Sequence, residues 1–171
     1  MIGLNDVGLR VMANLSVLRY LKSLEYVDDE RIGITGICQG SIIVWFTAAL
    51  SEEFSAIAPL CGTSNYEAET LEYVNRQGGW TGISPFVFNL LKYADVQHLY
   101  GCFAPRPLFV KSNIIDRHWP LSGLQKVKDM VENIYSLHGA SDKYRFLLEH
   151  EPHAFSGTFI ANLTQWFKEV L

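Results

Sequence analysis

Three side chains set far apart along the chain, Cys38, Asp116 and His153, are of the types needed to attack a carbonyl carbon and move the protons that the attack requires. A thiolate is the nucleophile, an imidazole takes the thiol proton, and a carboxylate on the other ring nitrogen fixes the tautomer and stabilises the imidazolium. Cys38 stands in RIGITGICQG, residues 31–40, and is followed by the apolar run SIIVWFTAAL, residues 41–50. Ile32, Ile34 and Ile37 read as a strand buried on both faces, and the apolar run as a helix behind it. Between them the pattern GxCxG marks a sharp strand-to-helix turn bracketed by Gly36 and Gly40, whose lack of a Cβ admits close chain approach. Such a turn lifts the sulfur clear of the sheet and sets it at a helix N-terminus, where unpaired N–H groups favour the thiolate. The competing reading of Cys38 is a small, buried, apolar side chain.

The elements that must hold these residues alternate along the chain. Asn5 and Asp6 cap a first helix with Val7, Val11, Leu15, Leu18 and Leu21 on one face. After the nucleophile strand and its helix, FSAIAPL at 54–60 forms a second strand that stops at Cys61 and Gly62, and residues 63–82 read as an irregular excursion over the surface. A short helix over 85–94 and a third strand over 106–112 follow. A long helix then carries Leu124, Val127, Val131, Ile134 and His138 on one face and stops at Gly139. Residues 144–148 make a fourth strand, Pro152 and His153 a loop, and Ile160, Leu163, Phe167 and Val170 the inner face of a last helix. Strands alternating with helices imply an α/β fold, a parallel sheet of about four strands covered by helices on both faces. We find no linker or repeat that would divide residues 1–171, which read as a single domain.

In such a sheet, ligands meet the carboxyl ends of the strands. Cys38 follows the first strand, Asp116 the third and His153 the fourth, so the chain order is nucleophile, acid, histidine. Asp95 and Glu149 are alternatives to Asp116, and His150 is the alternative to His153. His118, beside Trp119, reads as a loop residue near an entrance. His98 and His138 read as satisfied or surface side chains, and Cys61 and Cys102 as packed apolar groups. Trp80, Trp119 and Tyr66 are candidates either to line a pocket or to anchor loops.

Composition narrows the classes of partner. Fourteen basic residues lie scattered among eighteen acidic ones, for a net charge of −4 and no basic stripe, which argues against a nucleic-acid or anionic-membrane surface. Three widely spaced cysteines without a CxxC pair suggest neither a disulfide framework nor a zinc site, and the chemistry above requires no metal or organic cofactor. Neither a leader pattern nor an apolar run of membrane-spanning length is evident, so the chain as written is expected in the cytoplasm.

VDDERIGITGICQG at 27–40, YADVQHLYGCFAPRPLFV at 93–110, SNIIDRHWPLSG at 112–123 and HEPHAF at 150–155 resemble the acetyl xylan esterase and dienelactone hydrolase-like branch of the α/β-hydrolases. The resemblance covers nearly the whole chain. It implies Cys38 as nucleophile, Asp116 as acid, His153 as base and the backbone N–H of Gln39 as one oxyanion donor, in a hydrolase of carboxylic esters or lactones. Members resembling acetyl xylan esterases carry Ser at the nucleophile, while dienelactone hydrolases carry Cys. The family's sheet has about eight strands, and the first helix here matches the one just before the nucleophile strand, so the resemblance implies the C-terminal half of that fold. The nucleophile strand then becomes an open edge, and the expectation is a homo-oligomer or association with a missing N-terminal segment. The alternative, of a different class, is a non-catalytic binding or assembly module.

Overall fold

Asn5 accepts a hydrogen bond from the Gly8 N–H at 2.7 Å and so opens α1, Asp6–Lys22. The computed structural model describes residues 5–75, 87–116, 118–154 and 156–171. Strand β1, Gly33–Ile37, runs directly into α2, Gln39–Leu50, and is followed by β2, Ala56–Leu60. Helices α3, Tyr66–Asn75, and α4, Val96–Gly101, precede β3, Leu108–Asn113. Helix α5, Leu121–Leu137, leads to β4, Tyr144–Glu149, and α6, Gly157–Val170, completes the chain. The strands form one parallel sheet in the order β1-β2-β3-β4.

Side-chain alternation along the central strands divides the interior in two. Ala56, Ala58 and Leu60 of β2 and Phe109 of β3 pack with Phe159 and Trp166 of α6. Ile57, Leu108 and Val110 point the other way, into a larger cluster that includes Val11, Trp45, Tyr100 and Val131 of α1, α2, α4 and α5. Helices therefore cover both faces, as expected. The charged side chain of Arg106 serves this packing: its guanidinium donates to the carbonyls of Ala48 and Ser51, both at 2.9 Å, and ties the approach to β3 to the otherwise unpaired C-terminal end of α2.

Several expectations need correction. β1 is only half-buried rather than covered on both faces, because among the described residues it pairs with β2 alone. Beside it, α1 buries Val7, Val11 and Leu18 but leaves Leu9, Met12, Val17 and Tyr20 between 47% and 63% exposed on its other side. The stretch read as a surface excursion contains α3, and Thr63, Ser64, Asn65 and Tyr66 are buried. The signal for α3 lies 29 residues downstream: the Asp95 carboxylate accepts from the Tyr66 N–H at 2.7 Å, the Glu67 N–H at 3.2 Å and the Val96 N–H at 2.6 Å, capping α3 and α4 together. Residues 76–82 lie outside the described residues, as do 85–86; of the short helix expected there, the described part holds a 3-10 turn at Leu90–Lys92. In α6 the expected face holds at Leu163, Phe167 and Val170, which pack against the cluster that Phe159 and Trp166 join, while Ile160 is exposed. α5 ends as expected at Gly139, whose φ of 64° is a left-handed cap.

Candidate active site

The turn between β1 and α2 holds Cys38 at φ 57° and ψ −121°, a region that non-glycine residues adopt only under constraint, at a cost on the order of 1–3 kcal/mol. The constraint comes from close packing of small residues around it. A Cβ on Gly36 would sit 2.6 Å from the Gly40 carbonyl oxygen, and one on Gly62 would sit 2.5 Å from the Ser41 Cβ. Gly40 differs from its expected role, since a Cβ there would meet nothing within 4 Å; its backbone, rather than its missing side chain, is what Gly36 accommodates. The Cys38 N–H donates to Leu60 O at 2.9 Å and extends the β1–β2 ladder into the turn.

Burial pushes the Cys38 thiol above its ordinary pKa; the Gln39 backbone N–H acts against that rise, and the negative charge of Asp116 adds to it. The helix N-terminus therefore favours the thiolate as expected, through the Gln39 N–H, but burial opposes it more strongly. Gln39 is held from its other end as well, its side-chain amide donating to Asp6 Oδ2 of α1 at 3.4 Å.

At the ends of β3 and β4 the structure brings Asp116 and His153 together. Asp116 Oδ2 lies 2.6 Å from His153 Nδ1, with the carboxylate side chain 1% exposed and the imidazole 23%. Asp116 Oδ1 accepts from the His118 N–H at 3.0 Å, so both carboxylate oxygens are engaged and the rotamer is fixed. With Nδ1 turned to Asp116, Nε2 is the nitrogen available for proton transfer. The His118 ring stands edge-on to His153, centroids 5.2 Å apart.

Residues 4–77 match the dienelactone hydrolase family model. The putative hydrolase YtaP of Bacillus subtilis (strain 168) is 27% identical over 147 residues, 85% of this chain and 48% of that protein, so the chain spans about half the length of this relative. A glucuronoyl esterase from Sporotrichum thermophile superposes with a TM-score of 0.72 at 19% identity, covering 91% of this chain and 50% of the other. A family 15 glucuronoyl esterase from Caldicellulosiruptor kristjansonii gives 0.74 at 16% identity, with 94% and 49% covered. The methylesterase BT1017 gives 0.76 at 24% identity, with 95% and 35% covered. The chain has the α/β-hydrolase fold.

Within this α/β-hydrolase fold the other candidates have visible structural duties. Asp95 caps two helices, Glu149 pairs with Lys111 at 3.0 Å, His98 completes a capping box with Asp95, and His150 and His138 are exposed. Cys61 is buried, and burial pushes its thiol up to about 11. Cys102 is exposed rather than packed. Trp119 and Tyr66 are 5% and 1% exposed and belong to the interior, so neither is a platform for ligand; Trp80 lies outside the described residues. Among the described residues no cluster of His, Cys, Asp and Glu could hold a metal ion, and no helix is long and apolar enough to cross a membrane. Sequence reasoning missed the buried Lys111 and Asn113 behind His153, whose only signal was the polar run Lys111–Asn113 closing a strand that begins Leu108, Phe109, Val110.

Proposed function

We propose that the chain belongs to a hydrolase of carboxylic esters or lactones that works through Cys38, His153 and Asp116. The observation that carries this reading is the part-buried 2.6 Å contact of Asp116 with His153 Nδ1 at the carboxyl end of the sheet where β1 delivers a strained cysteine. His153 Nε2 would take the Cys38 proton, and the sulfur would attack the ester carbonyl. The oxyanion would be met by the Gln39 N–H, the backbone group already directed at the sulfur. Collapse breaks the bond to the leaving oxygen, which receives the proton from His153 and departs as the alcohol; a thioester remains on Cys38. Water, deprotonated by His153, then attacks the thioester, releasing the acid and returning the proton to the thiol. Asp116 keeps the Nδ1 tautomer and stabilises the transient imidazolium.

Hydrolysis of p-nitrophenyl acetate by the wild type and Cys38→Ala, with intact-mass detection of an acyl adduct, tests this reading. Turnover that vanishes in the variant supports it; an adduct without turnover supports Cys38 as nucleophile in a site lacking a further component; neither adduct nor turnover overturns it.

The open edge of β1 and the exposed apolar side of α1 favour a second reading, that this region associates with a further strand-bearing chain or segment of the same protein, as a binding or assembly module. Light scattering at concentrations well above micromolar decides: a dimer or larger species supports association, and a monodisperse monomer counts against self-association.

A further inference from the structure

We propose that Lys111 and Asn113 are positioning residues for His153, clamping the loop that carries it onto the end of β3; the inference rests on the hydrolase reading above. Lys111 is fully buried, and its ammonium has three protons to donate. Nζ donates to Asn113 Oδ1 at 2.9 Å and is ion-paired with Glu149, Oε2 at 3.0 Å, and with Glu151, Oε2 at 3.5 Å. The Phe159 ring lies 4.7 Å from Nζ on the α6 side. These two carboxylates bracket the start of the histidine loop, so the cation ties that loop to the strand from which Asp116 also emerges.

The cation also decides how Asn113 is oriented. An ammonium only donates, so the amide atom facing it is the oxygen, and the amide nitrogen must point elsewhere. It points at the loop: Asn113 Nδ2 donates to the Pro152 carbonyl at 2.6 Å, with Cys61 Sγ 3.5 Å away. Pro152 immediately precedes His153. One residue further along β3, the Ile114 N–H donates to Glu149 O at 2.8 Å, which closes the strand pairing where the loop departs. The imidazole is thus held at two ends, its Nδ1 by Asp116 and its backbone by Asn113 through Pro152. Buried ionic networks of this sort add little stability over apolar packing of equal volume, whereas misplacement of a proton-transferring ring by about an ångström costs on the order of a hundredfold in rate.

Asn113→Asp keeps an acceptor for Lys111 but loses the donor to Pro152 and sets a carboxylate oxygen against its carbonyl. Glu151→Gln, at a side chain 37% exposed, weakens one tie of the loop without opening the core. Both are compared with the wild type by melting temperature, by the imidazole proton and nitrogen resonances of His153, and by kcat and KM on p-nitrophenyl acetate. In Asn113→Asp we expect the Nδ1 proton resonance to broaden or vanish, with kcat down about ten- to hundredfold and KM within about twofold. In Glu151→Gln we expect a loss of about three- to tenfold in kcat. If Asn113→Asp does not fold, Glu151→Gln decides. Unaltered His153 resonances in the folded variants overturn the clamp, and so does an unaltered kcat where the wild type turns over. Altered resonances in a protein whose wild type gives neither an acyl adduct nor turnover support the clamp and overturn the hydrolase reading instead.

Discussion

The nucleophile side of the site and its acid–base side are built by opposite means. Around Cys38 the shape is made by absence: Gly36 and Gly62 leave room for the Gly40 carbonyl and for Ser41, and the backbone is pressed into a conformation that few residues adopt. Around His153 the shape is made by charge and hydrogen bonds, with Asp116, Lys111, Asn113, Glu149 and Glu151 meeting from the ends of β3 and β4. The first side is therefore sensitive to the size of side chains and the second to their charge and donor pattern. The contrast matters because close packing around a backbone turn tolerates almost no added volume, while a polar network tolerates volume but not an unpaired group.

The sharpest test of the contrast is Asp116→Asn, which is isosteric and leaves the packing alone. With an amide at Nδ1 the imidazole is no longer held as the required tautomer, and kcat on p-nitrophenyl acetate should fall on the order of a thousandfold or more, with an unchanged circular dichroism melt. A variant that keeps its activity would show that the acid–base side does not work as drawn.

On the nucleophile side, volume should decide stability. Gly36→Ala brings a Cβ to 2.6 Å from a backbone oxygen and should cost about 1–3 kcal/mol in urea unfolding. Gly40→Ala meets nothing and lies within α2, so its effect should be neutral or stabilising by up to about 1 kcal/mol. Equal losses from the two substitutions would dissolve the assignment of the close approach to Gly36.

Glu69 shows what becomes of a buried carboxyl without the pairing that surrounds His153. It is 3% exposed, its Oε2 has no hydrogen-bond partner among the described residues, and burial, aided by the charge of Asp95, pushes it up to about 9 from an ordinary 4.5. The folded state then holds a proton that the unfolded chain gives up, so this contribution is fully present below pH 4.5 and is lost progressively as pH rises towards 9. Glu69→Gln should accordingly stabilise the fold by roughly 2 kcal/mol near neutral pH and by nothing measurable near pH 4. Unfolding curves at the two pH values check the sign.

The smallest contrast concerns the thiols themselves. Iodoacetamide on the native protein at pH 8 should label the exposed Cys102 readily and should spare Cys61, which is buried with its thiol pushed up to about 11. Peptide mass mapping after a time course gives the order, and early labelling of Cys61 would contradict the packed end of β2.

The sequence by itself determined what neighbours along the chain decide. A β-branched run, glycines at the two ends of a pentapeptide and an apolar decamer suffice for β1, its turn and α2, because the constraint lies within some fifteen residues. Alternation of strands and helices was enough for a parallel sheet covered on both sides, and Gly139 for the end of α5. Only the tertiary structure decided matters that hang on partners distant in the chain. The N-terminus of α3 depends on Asp95, and the proton affinity of Cys38 on burial and on a carboxylate 78 positions further along. Lys111 looks like an ordinary strand lysine until two glutamates from β4 and its loop come within reach of it. Local pattern specifies conformation because steric limits act between adjacent residues, whereas ionisation, capping at a distance and loop position are set by which groups share a desolvated space, and that is known only once the strands have come together.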